Sequence, residues 1–123
     1  MKRELFENRL LAFVVKIFEL SKGMRASLEK NIITNQILRS SFSVALNYAE
    51  SESAESKKDF IHKLRISLKE MRETNMALKI INEAFDLNNK KLVHDLLKES
   101  NELIAIFVSS INTATMNLAK NPK

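Results

Sequence analysis

Basic side chains recur every three or four residues between positions 58 and 72 of this 123-residue chain. At 100° per residue in an α-helix, this spacing places them on one side, within a sector of about 80°. A row of cations suits a nucleic acid, whose phosphates repeat along a polymer. We call four of these residues the basic row: Lys58, Arg65, Lys69 and Arg72. His62 lies among them. Secondary candidates for the same contact are Lys57, Lys63 and Arg39.

The formal net charge of +5 and the isoelectric point near 9.6 fit a polyanionic partner, and equally fit ordinary solubility charge. Glu70 and Glu73 flank the basic row and could neutralise part of it. The chain has one tyrosine, Tyr48, and no tryptophan, so stacking on bases is not expected. Structured RNA or DNA would then be held through phosphates, with strong salt dependence and little sequence preference.

Catalytic and metal-binding patterns are missing from the sequence. There is no cysteine, and one glycine is too few for a phosphate-binding loop. A carboxylate di-metal bundle needs Glu three residues before His, but Asp59 precedes His62 and Lys91 precedes His94 at that spacing. We therefore expect no enzyme, no metal and no cofactor.

The basic row shares its helix with an apolar seam. Apolar or small residues follow each other at intervals of four and three, which is typical of a helix packed against other helices: Phe60, Leu64, Ser67, Met71, Thr74, Leu78, Ile81 and Phe85. One Gly and one Pro leave little turn chemistry, and alternating strand patterns are absent. The sequence predicts an all-α fold.

Four helices are predicted in one domain, over residues 2–21, 28–51, 56–84 and 89–119. Gly23 is expected to end the first helix in a left-handed turn, and Ser56 to cap the third. The joints between the helices are short, so successive helices should run antiparallel. The expected architecture is an up-down-up-down four-helix bundle.

The first and fourth helices carry more apolar surface than one bundle needs to cover. Beside its main seam the first helix has Leu11, Val14, Val15 and Phe18, and the fourth adds a second seam, Leu97, Ile104, Val108 and Ile111. Apolar patches of that size usually form interfaces. We expect a homo-oligomer, the alternative being that both helices bury deeply among their neighbours.

The second helix combines small residues with polar ones. Arg39, Asn47 and Glu50 are predicted to form a structural polar network, because leaving such groups buried without a partner costs about 1–3 kcal/mol each. Glu70 or Glu73 is the expected partner of Arg39. The same residues could alternatively line a ligand site.

Residues 36–75 resemble the bacterial four-helix-bundle family encoded in intervening sequences of large-subunit ribosomal RNA genes. The resemblance lies in an arginine at position 39, the run Asn47-Tyr-Ala-Glu50 and the motif Ser56-Lys-Lys-Asp-Phe60, followed by a helix of matching pattern. It implies a cyclic homopentamer of antiparallel bundles. It also relates the chain to the accessory variability protein of diversity-generating retroelements, a basic pentamer that binds nucleic acid and a reverse transcriptase.

Four sites depart from the family pattern. Ala45 or Leu46 stands where the family has proline, so the second helix should run straighter. Ser51 replaces a glycine, Ser40 a second arginine, and Ala54-Glu55 a site where arginines are common. These changes lower the positive charge near the second joint.

Two functional hypotheses remain open on this evidence. One is a non-catalytic oligomer that binds structured RNA or DNA; the other is a protein-interaction scaffold, an accessory ring for a partner enzyme. The charged start of the chain lacks the apolar core of a signal peptide, and no apolar run approaches the roughly 18 residues of a membrane span. We therefore expect a cytoplasmic protein without a membrane contact.

Overall fold

The structure, a computed structural model, describes residues 3–121. It contains four helices: α1 (Arg3–Gly23), α2 (Leu28–Ser51), α3 (Lys57–Ala84) and α4 (Lys90–Lys120). The described residues contain no strand, so the fold is all-α. The predicted first residue of the first helix, residue 2, lies outside the described part.

Side-chain caps set the start of three helices. Ser27, Ser56 and Asn89 each accept a hydrogen bond from the backbone N–H three residues on, at 2.9–3.0 Å. The expected left-handed turn at Gly23 is wrong, because no described glycine has a positive φ. Instead α1 closes with a tight turn in which the Met24 N–H donates to the Ser21 carbonyl at 3.4 Å. The Met24 side chain then enters the core.

The core runs along all four helices. It takes the predicted seam of α3 and one buried seam from each of α1 and α4. These two seams are Phe6, Leu10, Phe13, Ile17 and Leu20 on α1, and Val93, Leu96, Leu103 and Phe107 on α4. At one end, Phe6 of α1 packs edge-on against Tyr48 of α2 and Phe107 of α4, with ring centroids 5.0 and 5.1 Å apart. The start of α1 therefore lies beside the end of α2 and the later part of α4.

Polar contacts join α3 to both neighbours. Ser40 of α2 hydrogen-bonds Thr74 of α3 at 2.7 Å, and Ser67 donates to the Val44 carbonyl at 2.9 Å. On the other side, buried Asn75 donates to Ser100 of α4 at 2.7 Å. Contacts with α2 thus run in opposite residue order along the two helices, and small serines allow the close approach. α2 itself is continuous through Ala45 and Leu46, where the family pattern has proline.

The expected exposed seam on α4 is wrong. Ile111 is buried, and Leu97, Ile104 and Val108 are half-buried, because α4 packs against both α1 and α3. By length and composition alone, α4 is also apolar enough to cross a membrane. That finding corrects the expectation that no such run exists. Core helices of bundles have the same composition, and α4 supplies Leu103 and Phe107 to the core.

Candidate nucleic-acid interface

The basic row lies on the outer face of α3. This helix packs against α2 on one side and α4 on the other, and its buried seam faces between them. Lys58, Arg65, Lys69 and Arg72 are all exposed, as is His62 among them. A rise of about 1.5 Å per residue makes the row about 21 Å long from Lys58 to Arg72. The side chains can therefore meet several successive phosphates of one strand.

Within residues 3–121, no carboxylate lies within ion-pair distance of any of the four side chains of the row. The two acidic residues that flank the row are engaged elsewhere. Arg39 of α2 donates to Glu70 at 3.2 Å and to Glu73 at 2.8 Å. Glu70 is buried, with only 8% of its surface exposed, so it faces the α2–α3 contact and not the row. The cations of the row are left to the solvent.

Lys79 extends the row and was missed by the sequence reasoning. It is exposed and lies seven residues after Arg72, which is two helical turns further along the same face. Met76, 54% exposed, stands between them. The sequence pattern that could have identified Lys79 is the spacing of four and three, which continues from Arg72 through positions 76 and 79. With Lys79 the row is about 31 Å long.

The secondary candidates differ in how far they are already occupied. Lys63 donates to Glu50 at 2.9 Å, and this hydrogen bond raises the pKa of Lys63 above its ordinary value. Lys57 donates to the backbone carbonyl of Asn121 at 3.0 Å. Arg39 is held by its two carboxylates and by Gln36 at 3.3 Å. None of the three is as available to a phosphate as the row itself.

The expected polar network does not form one cluster. Arg39 bridges α2 to Glu70 and Glu73 on α3, the carboxylates suggested by the sequence. Asn47, in contrast, donates within α2 to the Ser43 carbonyl at 2.9 Å. Glu50 pairs with Lys63 near the second joint. Arg39 lies about two turns before Asn47, whereas Glu50 follows Asn47 by less than one turn. Each of the three residues nevertheless uses a different partner.

Another ion pair ties α1 to α4. The Arg9 guanidinium binds both carboxylate oxygens of Glu99 and lies 3.3 Å from Glu102. These carboxylates raise the pKa of Arg9 above its ordinary value. The pair is half-buried and therefore belongs to the bundle rather than to a partner site. In the described residues, no three His, Asp or Glu side chains are grouped closely enough to hold a metal ion.

Two apolar patches remain exposed around α2. We call the first the α1–α2 patch, a set of five side chains that are 38–62% exposed: Leu11, Val15, Phe18, Phe42 and Leu46. The second is the α2–α3 patch: Leu28, Ile32 and Ile80, which are 44–70% exposed. Each lies beside a groove, of about 370 Å³ at the α1–α2 patch and about 540 Å³ at the α2–α3 patch. The predicted excess on α1 is thus present, and its counterpart lies on α2.

Comparison with known proteins identifies relatives over most of the chain. The profile of a family described as "23S rRNA-intervening sequence protein" matches residues 7–109. A solved structure is also similar: a crystal structure at 1.70 Å of a protein with unknown function from the S23 ribosomal protein family of Bacteroides thetaiotaomicron VPI-5482. Its TM-score is 0.75 at 32% sequence identity, over 86% of this chain and 97% of that one. No curated protein matches the sequence.

Proposed function

Since the chain belongs to the 23S rRNA-intervening sequence protein family, we propose that it is a non-catalytic helical bundle that binds structured RNA or DNA in the cytoplasm. Membership confirms the resemblance found in residues 36–75. The observation that supports binding is the basic row: four exposed cations on one face of α3, with their flanking carboxylates turned to Arg39. A charged row about 21 Å long fits phosphates better than it fits a small anion.

The proposal includes an antiparallel up-down-up-down bundle that assembles as a cyclic homo-oligomer, with five copies by the family resemblance. The opposite residue order of the α2–α3 contacts supports the first part. The exposed apolar patches around α2 support the second, since patches of this size usually mark interfaces. Light scattering of the purified protein should give about five times the protomer mass of 14.1 kDa. A mass of 14.1 kDa would contradict assembly, and a dimer would contradict the family inference only.

Fluorescence anisotropy with a structured RNA and a duplex DNA tests the binding. We expect the triple variant Arg65→Ala, Lys69→Ala, Arg72→Ala to bind both about tenfold more weakly, if each exposed contact contributes about 0.5 kcal/mol. The matched control is the triple variant Lys16→Ala, Lys90→Ala, Lys98→Ala, which replaces three exposed lysines on α1 and α4. It has the same net charge as the α3 triple variant. It should bind nearly as the unaltered protein does.

The two outcomes against the proposal differ in meaning. Equal loss in both triple variants would show that only net charge matters and that α3 has no special part. No binding by the unaltered protein at about 50 mM salt would overturn nucleic-acid binding. The scaffold hypothesis would then be the better account, because the exposed basic row would be free to meet a partner enzyme.

A further inference from the structure

The two apolar patches lie on different seams of the bundle. The α1–α2 patch covers the middle of the first seam, where the Phe18 and Phe42 rings stand edge-on with centroids 5.4 Å apart. The α2–α3 patch begins on α2 at Leu28, about 21 Å before Phe42 along the helix axis, and its Ile32 lies about 15 Å before Phe42. Polar Asn35 and Arg39 separate the two along the outer face of α2. The chain therefore has two unlike apolar surfaces and not one self-complementary surface.

We propose that the α1–α2 patch of one copy packs on the α2–α3 patch of its neighbour. Pairing of unlike patches is a heterologous contact, which forms a ring when the rotation between copies closes, whereas two-fold pairing uses one patch twice. This inference rests on the homo-oligomer of the proposed function and names the surfaces that form it. Leu28 is 70% exposed, more than any other large apolar side chain described. Together with Ile32, it fits the groove between Leu11 and Leu46 of the neighbour.

The exposed areas agree with this pairing. At roughly 180 Å² for a large apolar residue, the α1–α2 patch exposes about 440 Å² and the α2–α3 patch about 310 Å². Interfaces are about 57% apolar, so the pair corresponds to a total buried area of about 1,300 Å². Stable, specific interfaces begin near 1,200 Å². Two-fold pairing would give about 1,500 Å² for the α1–α2 patch or about 1,100 Å² for the α2–α3 patch, but in each case it would leave the other patch in water.

The pairing also leaves the basic row accessible. Two interfaces of about 650 Å² per side take about a sixth of the protomer's 7769 Å². They cover the outer face of α2 and its flanks, while the outer face of α3 from Lys58 to Arg72 stays in solvent. Each copy in a ring would then present its row to the same nucleic acid, and one polymer could meet several rows at once.

Two single variants and a control test the pairing by light scattering. Leu46→Glu places a charge in the α1–α2 patch, and Ile32→Glu places one in the α2–α3 patch; both positions are exposed in the protomer. We expect each variant to lose the ring and fall towards 14.1 kDa, with unchanged helical circular dichroism. The control, Met116→Glu, alters a side chain on α4 that is 60% exposed, and should keep the mass of the unaltered protein.

Mixing the two variants separates the pairing from other interfaces. Each retains the patch that the other has lost, so the mixture should form one contact and give twice the protomer mass. A variant that keeps the full oligomer, or a mixture that stays at 14.1 kDa, would overturn the pairing. If the unaltered protein is itself monomeric, the proposed assembly fails as well. RNA binding is measured separately: a single basic row can contact RNA without the ring, so loss of the ring would not overturn the binding proposal.

Discussion

Single residues show most clearly what the sequence could and could not reveal. The partner of Arg39 was predictable, because Glu70 and Glu73 are charged residues on the next helix at a matching register. The sequence could not show which of the two carboxylates is buried. Both have the same chemistry, and only packing places Glu70 in the α2–α3 contact. The contact between Lys63 and Glu50 was missed because it spans the second joint, whose path the sequence does not specify.

Replacing Arg39 with Ala should lower the free energy of unfolding by about 1–2 kcal/mol. Buried Glu70 then loses its cation, while the half-exposed position of Arg39 keeps the effect below that of a fully buried pair. Chemical denaturation measures it, with Arg65→Ala as a control that should change stability by less than about 0.5 kcal/mol. If Arg39→Ala is as stable as Arg65→Ala, then Arg39 is a solvated side chain and returns to the list of binding residues.

Two neighbouring cations of α3 should differ in their effect on RNA binding. Arg65→Ala is expected to weaken binding by about two- to three-fold, the size of one exposed contact. Lys63→Ala should have a smaller effect, because its ammonium already binds Glu50. Lys79→Ala should behave like Arg65→Ala, because the exposed Lys79 extends the row past Met76. Titrations of the three variants against one RNA hairpin decide this, and an equal loss at Lys63 and Arg65 would argue against the assignment of the row.

Whole helices were predictable where one periodic seam and one cap agreed. α3 is the clearest case, since its seam from Leu64 to Ile81 is buried and Ser56 caps its start. The exposure of α4 was misjudged, because an apolar sector gives its own width but not how many neighbours will cover it. The apolar outer face of α2 was missed for the same reason: its stripe is interrupted by Asn35 and Arg39, so periodicity alone does not mark it.

The close α2–α3 contact should tolerate little added volume. Ser67 is fully buried and donates to the Val44 carbonyl, so Ser67→Val both removes that hydrogen bond and overpacks the contact. We expect a loss of about 1–3 kcal/mol in the free energy of unfolding. Ser109→Val makes the same change on the exposed side of α4 and should be nearly neutral. Thermal melts of both variants test this, and similar midpoints would mean that α2 and α3 are less tightly packed than described.

At the scale of the whole molecule, faces of different chemistry surround α3 and α2. The outer face of α3 is basic from Lys58 to Arg72 and that of α2 is largely apolar, so nucleic acid on these four cations and a second copy need not compete for the same surface. Charge placement was predictable, because exposed cations follow directly from helical periodicity. Whether these cations are free to bind phosphates was not predictable. It depends on Glu70 and Glu73, which pair with Arg39 of α2 and not with the basic row.

The salt dependence of nucleic-acid binding tests the central claim most directly. For duplex DNA, each neutralised phosphate contributes about 0.9 to the slope of log binding constant against log salt. The triple variant Arg65→Ala, Lys69→Ala, Arg72→Ala should therefore have a slope shallower by about 2.7 or more between about 50 and 200 mM salt, for unrelated sequences alike. The charge-matched triple variant on α1 and α4 should keep the original slope. Equal slopes for the unaltered protein and the α3 triple variant would contradict the account, because the basic row would then contact no phosphate.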